Sequence, residues 1–369
     1  MSLVKNFFLG YCYLVYGVTA SIFRHVFGRS EKMRNPIDFV VTWVDGSDPL
    51  WQKEKDFFQM LSRPEGDAIL PARFRDWGIC KYWFRAVEKY APWVRYVFLV
   101  TNGQLPEWIN LNNPKLRVVF HRDFIPSESL PTFNSCAIEN CLHRIDELSE
   151  HFVCFNDDFI ITKPLQPEDF FQDDKPILCA AGSPIRNYSS NNTFYHRLFS
   201  VQGIVSELNW SRYYRNHPDL WFSYTSGFNL LYNLRDFQTD RMSGVFFPHL
   251  CQPLRKRTMK RAWELYADAL NHTLSHRFRN ALDLNRYLFA ILDIFSGDFV
   301  PCSPTSLGDY SEIGLDNSTL FLNMRTHRYK ITCLNDSSDI SESSFDATKR
   351  QVISVLEELF PDTSSFEKD

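Results

Sequence analysis

Residues 36–51 read PIDFVVTWVDGSDPLW. Phe39, Val40, Val41 and Thr42 form an unbroken apolar or β-branched run, the composition of a strand buried on both faces. Trp43 follows, then the acids Asp45 and Asp48 around Gly46. A buried strand that ends in an acidic, glycine-containing turn reads as the first strand of an α/β sheet. Ligands of such sheets bind beyond the carboxyl ends of the strands. Taken alone, the motif also fits a strand followed by a plain surface turn, because short motifs recur by chance. The rest of the chain decides.

Downstream, strand and helix patterns alternate. Residues 77–90 carry apolar side chains at helical spacing and stop at Ala91-Pro92. Residues 96–101 (YVFLVT) make a short buried strand closed by Asn102-Gly103. Residues 116–120 (LRVVF) give a third strand and 135–149 a helix. Residues 152–155 give a fourth strand that runs into Asn156-Asp157-Asp158. Strands separated by helices predict an α/β, Rossmann-like and mainly parallel sheet with right-handed crossovers. Residues 168–240 are more polar and read as an insertion over the site. Helices are expected over 255–269 and 277–295, and the end, 341–369, reads as a Ser- and acid-rich tail with a short helix near 348–360.

Composition bounds the rest. With 369 residues and 44% hydrophobic content, the chain can bury a large core. A net charge of −4 provides no global basic field, so nucleic acid is not an expected partner. Nine cysteines, an odd number without a CxxC pair, predict reduced buried thiols rather than disulfides or a zinc site.

Residues 6–23 carry no charge and are rich in Phe and Tyr. They are expected to associate with a membrane, as an in-plane helix or a short span; a buried core helix is the competing reading. Lys5 precedes them and Arg24, Arg29, Lys32 and Arg34 follow, so the positive-inside rule places the main body on the cytoplasmic face of the cell membrane. Six N-x-S/T sequons, beginning at Asn187, Asn191, Asn209, Asn271, Asn317 and Asn335, carry no weight against this in so Asn- and Ser-rich a chain.

Four ordered blocks resemble the Stealth family: IDFVVTWVDGSDPLW (37–51); RFRDWGICKYWFRAVEKYAPWVRYVFLVTNGQ (73–104) through LPTFNSCAIE (130–139) to FNDDFI (155–160); FFPHLCQP (246–253) with HRFR (276–279); and CLNDS (333–337). Members are sugar-1-phosphate transferases of capsular and exopolysaccharide synthesis, related to the catalytic subunit of the animal lysosomal-enzyme N-acetylglucosamine-1-phosphotransferase. The resemblance spans 36–340 and implies a GT-A-type sheet and a helical C-terminal part. It sets residues 1–35 and 341–369 outside the catalytic domain.

The resemblance implies that an acceptor glycan hydroxyl attacks the β-phosphorus of a nucleoside-diphosphate sugar, with UDP the expected carrier. Such chemistry requires carboxylates for a divalent ion, Mg²⁺ or Mn²⁺, cations on the diphosphate and a base near the nucleophile. Asp157 and Asp158, paired at a strand end, are expected to bind metal or act as base; Asn335 and Asp336 would complete the metal site. His249 matches a histidine important for the family's activity and is expected to be the general base. Arg279 and, beside Asp76, Arg75 are expected on the diphosphate. Trp43, Asp45 and Gly46 are expected to face the nucleotide, and Asn102 and Gln104 the sugar or nucleotide. Two other readings compete: a conventional glycosyltransferase, which releases a nucleoside diphosphate, and a non-enzymatic carbohydrate-binding assembly factor. His121-Arg122-Asp123 spells a kinase triplet without the accompanying kinase motifs and reads as chance.

Overall fold

The computed structural model describes residues 3–28, 35–64, 66–184, 193–205, 208, 210–239, 242–337 and 340–368. Arg29, Lys32 and Arg34, the sequons at Asn187, Asn191 and Asn209, and most of the polar run around 187–192 lie outside these residues.

In chain order the elements are α1 (Leu3–Phe27), β1 (Ile37–Thr42), α2 (Pro49–Ser62), α3 (Ile79–Tyr90), β2 (Val97–Thr101), β3 (Leu116–Phe120), α4 (Ser135–Cys141), β4 (His151–Asn156) and β5 (Phe159–Ile161). Then come β6 (Phe171–Gln172), β7 (Lys175–Leu178), α5 (Thr193–Val205), α6 (Trp210–Asn216), α7 (Pro218–Trp221) and α8 (Leu230–Thr239). The chain finishes with β8 (Gln252–Arg255), α9 (Lys256–Ser275), α10 (Tyr287–Ser296), β9 (Val300–Pro301), β10 (Gly308–Ile313), α11 (Ser318–Arg325), β11 (Ile331–Asp336) and α12 (Glu342–Leu359).

The main sheet has the order β3-β2-β1-β4-β8. The first four strands are parallel and β8 is antiparallel at the edge. This is the expected Rossmann-like α/β sheet. Its order reverses between β1 and β4, and at such a switch point a crevice opens beyond the strand ends. Thr42 sits level with Val100 on one side and Asn156 on the other. Residues that follow these strands therefore emerge along one edge, although the sequence separates them by more than a hundred positions.

Both faces of the sheet are covered. Ile37, Phe39, Val41 and Trp43 point to one core layer with Trp83 and Phe84 of α3. Val40 points to the other with Phe98, Val100, Phe152 and Leu288. The apolar side chains of β1 thus enter both layers, and the one buried charge among them, Asp38, is held by the Arg95 guanidinium at 2.6 and 2.8 Å. A second sheet, β10-β11-β5, is joined to the first through β4 and β5. Only Asp157 and Asp158 separate those two strands, so the acid pair occupies the corner between the sheets.

Three expected elements differ. The helix predicted over 135–149 stops at Cys141 and one 3₁₀ turn follows, because the carbonyls of Asn140 and Ile145 accept from Trp263 Nε1 (2.9 Å) and Lys256 Nζ (2.5 Å). The helix predicted over 277–295 begins only at Tyr287, and residues 276–286 form a loop. The tail is not a loose end: α12 is 18 residues long, and Phe360, Phe366 and Glu367 beyond it are buried against α3 and its neighbours. Segment 168–240 contributes β6, β7 and α5–α8, which build their own apolar cluster around Tyr214, Trp221 and Phe237.

Candidate active site

A cleft of about 1220 Å³, open mouth included, lies at the switch point. Trp43, Arg75, Asn102, Asp157, Asp158, His249, Arg279, Asn335 and Asp336 line it. Blocks far apart in sequence thus meet on one surface. Asp45, Gly46, Asp76 and Gln104 are not among the lining residues.

The local reasons differ by residue. Gly46 is required because a Cβ there would collide with the Phe74 carbonyl; its backbone passes too close for any side chain. Gln104, expected on the ligand, clamps the first turn instead. Its Oε1 accepts from Asp45 N–H at 3.0 Å, and its Nε2 donates to Asp45 O and Asp48 Oδ2, both at 3.0 Å. Asp45 Oδ1 accepts from the backbone and hydroxyl of Ser47 at 2.8 and 2.6 Å. Asp48 caps α2. Asp76 accepts from Gly78 N–H at 2.8 Å, and burial raises its carboxyl pKa. Trp43 is only 8% exposed, so little of its surface is open to the cleft.

Arg75 and Asp336 correct two expectations together. Nε and Nη2 of Arg75 donate to the two Asp336 oxygens, both at 2.7 Å, and Nη1 donates to Ile340 O at 3.0 Å. The guanidinium expected on a diphosphate and the carboxylate expected on a metal hold one another. They tie the first wall of the cleft to β11.

The acid pair is electrostatically strained. Burial, then Asp158 and Asp76, push the Asp157 carboxyl well above its ordinary value. Burial pushes Asp158 up to about 6, against a hydrogen bond from the Cys333 thiol at 3.6 Å. Asp158 Oδ1 is buried and has no hydrogen-bond partner. Asp158, His249 and Cys333 bring a carboxylate oxygen, a ring nitrogen and a sulfur within 4.8 Å of one another. Buried acids with an unpartnered oxygen fit a divalent cation, which favours oxygen ligands and would relieve the repulsion between Asp157 and Asp158.

Arg73 and Arg279 line the same cleft. Burial, then Arg73 and Arg197, lower Arg279 to about 10. The Arg279 guanidinium donates to Ser135 Oγ at 2.8 and 3.2 Å. His249 stands edge-on to Tyr310 (ring centroids 5.4 Å apart) and to Phe194 of the insertion (6.2 Å). Burial, then Arg286 and Arg279, pull it down to about 3, so the imidazole is neutral at pH 7. Deeper still, Arg286 bonds Glu139 at 2.9 Å and Asn156 Oδ1 at 2.7 Å. Burial would lower its pKa, but Glu139 together with Cys154, Tyr287 and Cys251 outweighs this and holds it above its ordinary value.

The sequence alone did not single out Arg73, Arg197, Ser135, Glu139, Arg286 or His121. Arg73 and Glu139 lie inside the matching blocks, and Arg286 follows shortly after HRFR. Arg197 carries no local signal. His121, discounted as part of a chance triplet, lines the cleft at the end of β3.

A crevice at the switch point of a parallel sheet, lined by paired acids and by the half-buried arginines Arg73 and Arg279, defines an α/β enzyme site suited to an anionic substrate. The four Stealth protein conserved regions match in order: region 1 over 35–59, region 2 over 73–178, region 3 over 248–288 and region 4 over 323–369. The last match runs past the limit at 340 expected from the sequence. The chain is 36% identical over 342 residues to capsular polysaccharide phosphotransferase WcwK of Streptococcus pneumoniae, covering 90% of this chain and 99% of that protein. It is 37% identical over 344 residues to receptor polysaccharide phosphotransferase WefC of Streptococcus oralis, covering 90% and 99%. It is 35% identical over 334 residues to exopolysaccharide phosphotransferase cps2G of Lactiplantibacillus plantarum, covering 90% and 96%. The chain belongs to the Stealth family and is an enzyme of the transferase class, a phosphotransferase. The non-enzymatic reading is thereby set aside.

Proposed function

We propose that this enzyme transfers a sugar-1-phosphate from a nucleoside-diphosphate sugar, with UDP as carrier, to a hydroxyl of an acceptor glycan in capsular or exopolysaccharide synthesis. The observation that carries this reading is the meeting of Asp157, Asp158, His249 and Arg279 in one cleft. The names of the relatives support the phosphoryl group and the polysaccharide.

In this reaction the acceptor oxygen bonds to the β-phosphorus. The bond from that phosphorus to the bridging oxygen breaks, and nucleoside monophosphate leaves. Arg279 holds the diphosphate, with Arg73 and Arg197 adding to the positive field. His249, neutral at pH 7, takes the acceptor proton. Bound diphosphate opposes the arginines that depress the imidazole and so raises its basicity toward the working range. Asp157, Asp158 and Asn335 would hold Mg²⁺ or Mn²⁺, which supplies charge neutralisation at the transferred phosphoryl group. Asp336 is left out of this set because Arg75 holds both its oxygens. The site of action is the cytoplasmic face of the cell membrane.

The released nucleotide tests the reaction. With UDP-sugars, acceptor glycan and Mg²⁺, the expected products are UMP and phosphorus in the glycan. UDP would establish a conventional glycosyltransferase instead. His249→Ala and Arg279→Ala are each expected to lower turnover by about 10²-fold or more, with the thermal midpoint unchanged. Turnover that survives in both variants would remove the assignment. Chelation with EDTA is expected to stop turnover and added Mg²⁺ to restore it.

A further inference from the structure

The N-terminal helix seats one face on the protein, where Leu9, Tyr13 and Leu14 join the apolar cluster of the insertion, and leaves the other face open. On α1, Asn6, Gly10, Gly17 and Ser21 share one face at helical spacing, and that face is the one turned to the protein. Gly10 lies against Leu234, Phe237 and Gln238 of α8, and Gly17 against Pro218 and Phe222. Ser21 Oγ accepts from Tyr224 N–H at 3.0 Å, and Arg24 pairs with Asp219. The opposite face carries Phe8, Val15, Ile22 and Val26, flanked by Tyr16 and Phe23, all at least 45% exposed. A helix packed for water buries its large apolar residues and exposes its polar ones. A second face of large apolar residues left outward, with glycines allowing close approach on the protein side, is an order that lipid favours.

The contacts also fix the orientation. From Gly10 to Arg24 the helix is pinned along α7 and α8. Upright in a bilayer, it would carry Asp219, the half-exposed Arg235 and the ten-residue α8 into hydrocarbon. Charges and short irregular segments are not tolerated there. Beside α1, Phe228 and Leu231 are 92% and 68% exposed, which extends the apolar surface onto the insertion. Arg24 and His25 close the helix, and Arg29, Lys32 and Arg34 follow in the sequence against a single acid, Glu31. The basic excess of that stretch of sequence complements anionic headgroups.

We propose that α1, together with the exposed start of α8, is a monotopic docking face that lies in the plane of an anionic bilayer surface and does not span it. The proposal deepens the membrane-associated reading above. Its test uses no nucleotide sugar, so its outcome is separate from that of the chemistry. Cys12 is exposed on α1 and is the natural position for an environment-sensitive NBD label, with Cys12→Ser as the blank. Full-length protein is mixed with phosphatidylcholine vesicles with or without phosphatidylglycerol. Flotation with the anionic vesicles is expected, weakened by salt, with a blue-shifted label quenched more by lipids bearing shallow spin labels than deep ones. Phe8→Asp with Phe23→Asp is expected to weaken vesicle binding at least tenfold while leaving the circular dichroism unchanged. Stronger quenching from the bilayer centre would establish a spanning helix and overturn the proposal. So would failure of the full-length protein to float. A lipid-free dimer that the double substitution splits, without vesicle binding, would assign the face to a second copy instead.

Discussion

Arg75 and Asp336 are 13% and 7% exposed at their side chains, and each satisfies the other's charge. Removing one partner of a buried pair leaves the other without compensation, at a cost of about 3 kcal/mol or more. Arg75→Ala and Asp336→Ala are each expected to lower stability by that order. The double variant should lose less than the sum, with a coupling of about 2 kcal/mol measured by urea unfolding. Strict additivity would show that the pair does not join the first wall of the cleft to β11. Arg75→Lys is not expected to rescue, because one ammonium cannot reproduce the fork on both oxygens. The sequence identified both residues but not their relation. They are 261 positions apart, and residue type alone does not tell an arginine that meets a phosphate from one that meets a carboxylate.

At the scale of elements, the loop 276–286 places Arg279, and Asn134 holds that loop. Asn134 is fully buried and its Nδ2 donates to Asp283 Oδ2 at 2.8 Å and His276 O at 3.1 Å. Its Oδ1 accepts from Cys136 N–H at 3.1 Å and caps α4. His276 Nδ1 meets Asp283 Oδ1 at 2.7 Å, and Phe133 stacks on Phe278 with centroids 5.0 Å apart. Asn134→Ala is expected to lower stability by about 2 kcal/mol, since buried partners lose their donor. It should also reduce kcat more than KM, because Arg279 then loses its fixed direction. An unchanged kcat with lowered stability would make the latch purely structural. Apolar periodicity predicts a helix through 277–286, and the periodicity there is real. The polar side chains Asn280 and Asp283 hold a local turn there instead: Asp283 Oδ2 accepts from Asn280 N–H at 2.7 Å and Asn280 Oδ1 from Leu282 N–H at 2.9 Å. The strands were legible because their residues are apolar on both faces. The loop was not, because its partners come from block two of the sequence.

Over the whole molecule, the C-terminal segment closes the fold. Glu367, 7% exposed, accepts from Arg85 Nε at 2.8 Å and Nη2 at 2.7 Å, and Lys81 stands 3.3 Å away. Arg85 Nη1 also donates to Phe360 O at 2.7 Å. An acidic, Ser-containing end reads as loose from composition alone, because the arginine that orders it sits 282 positions earlier on α3. Removal of residues 341–369 is therefore expected to unfold the sheet layer around α3, not merely trim it. Burial would raise the Glu367 carboxyl, but the hydrogen bonds from Arg85 and Ser364 and the nearby charges outweigh it and hold it down at about 2, against 4.5 unperturbed. A carboxyl depressed by folding stabilises fully above its unfolded value and loses that contribution as pH falls toward the folded one. The difference between wild type and Glu367→Gln should thus be roughly 3 kcal/mol at pH 7. It should shrink as pH drops below about 4.5 and approach its minimum near 2. Urea midpoints at pH 7, 5 and 3.5, followed by circular dichroism, measure this. A difference that stays constant across that range would mean that Glu367 contributes by packing and not as the charged partner of Arg85.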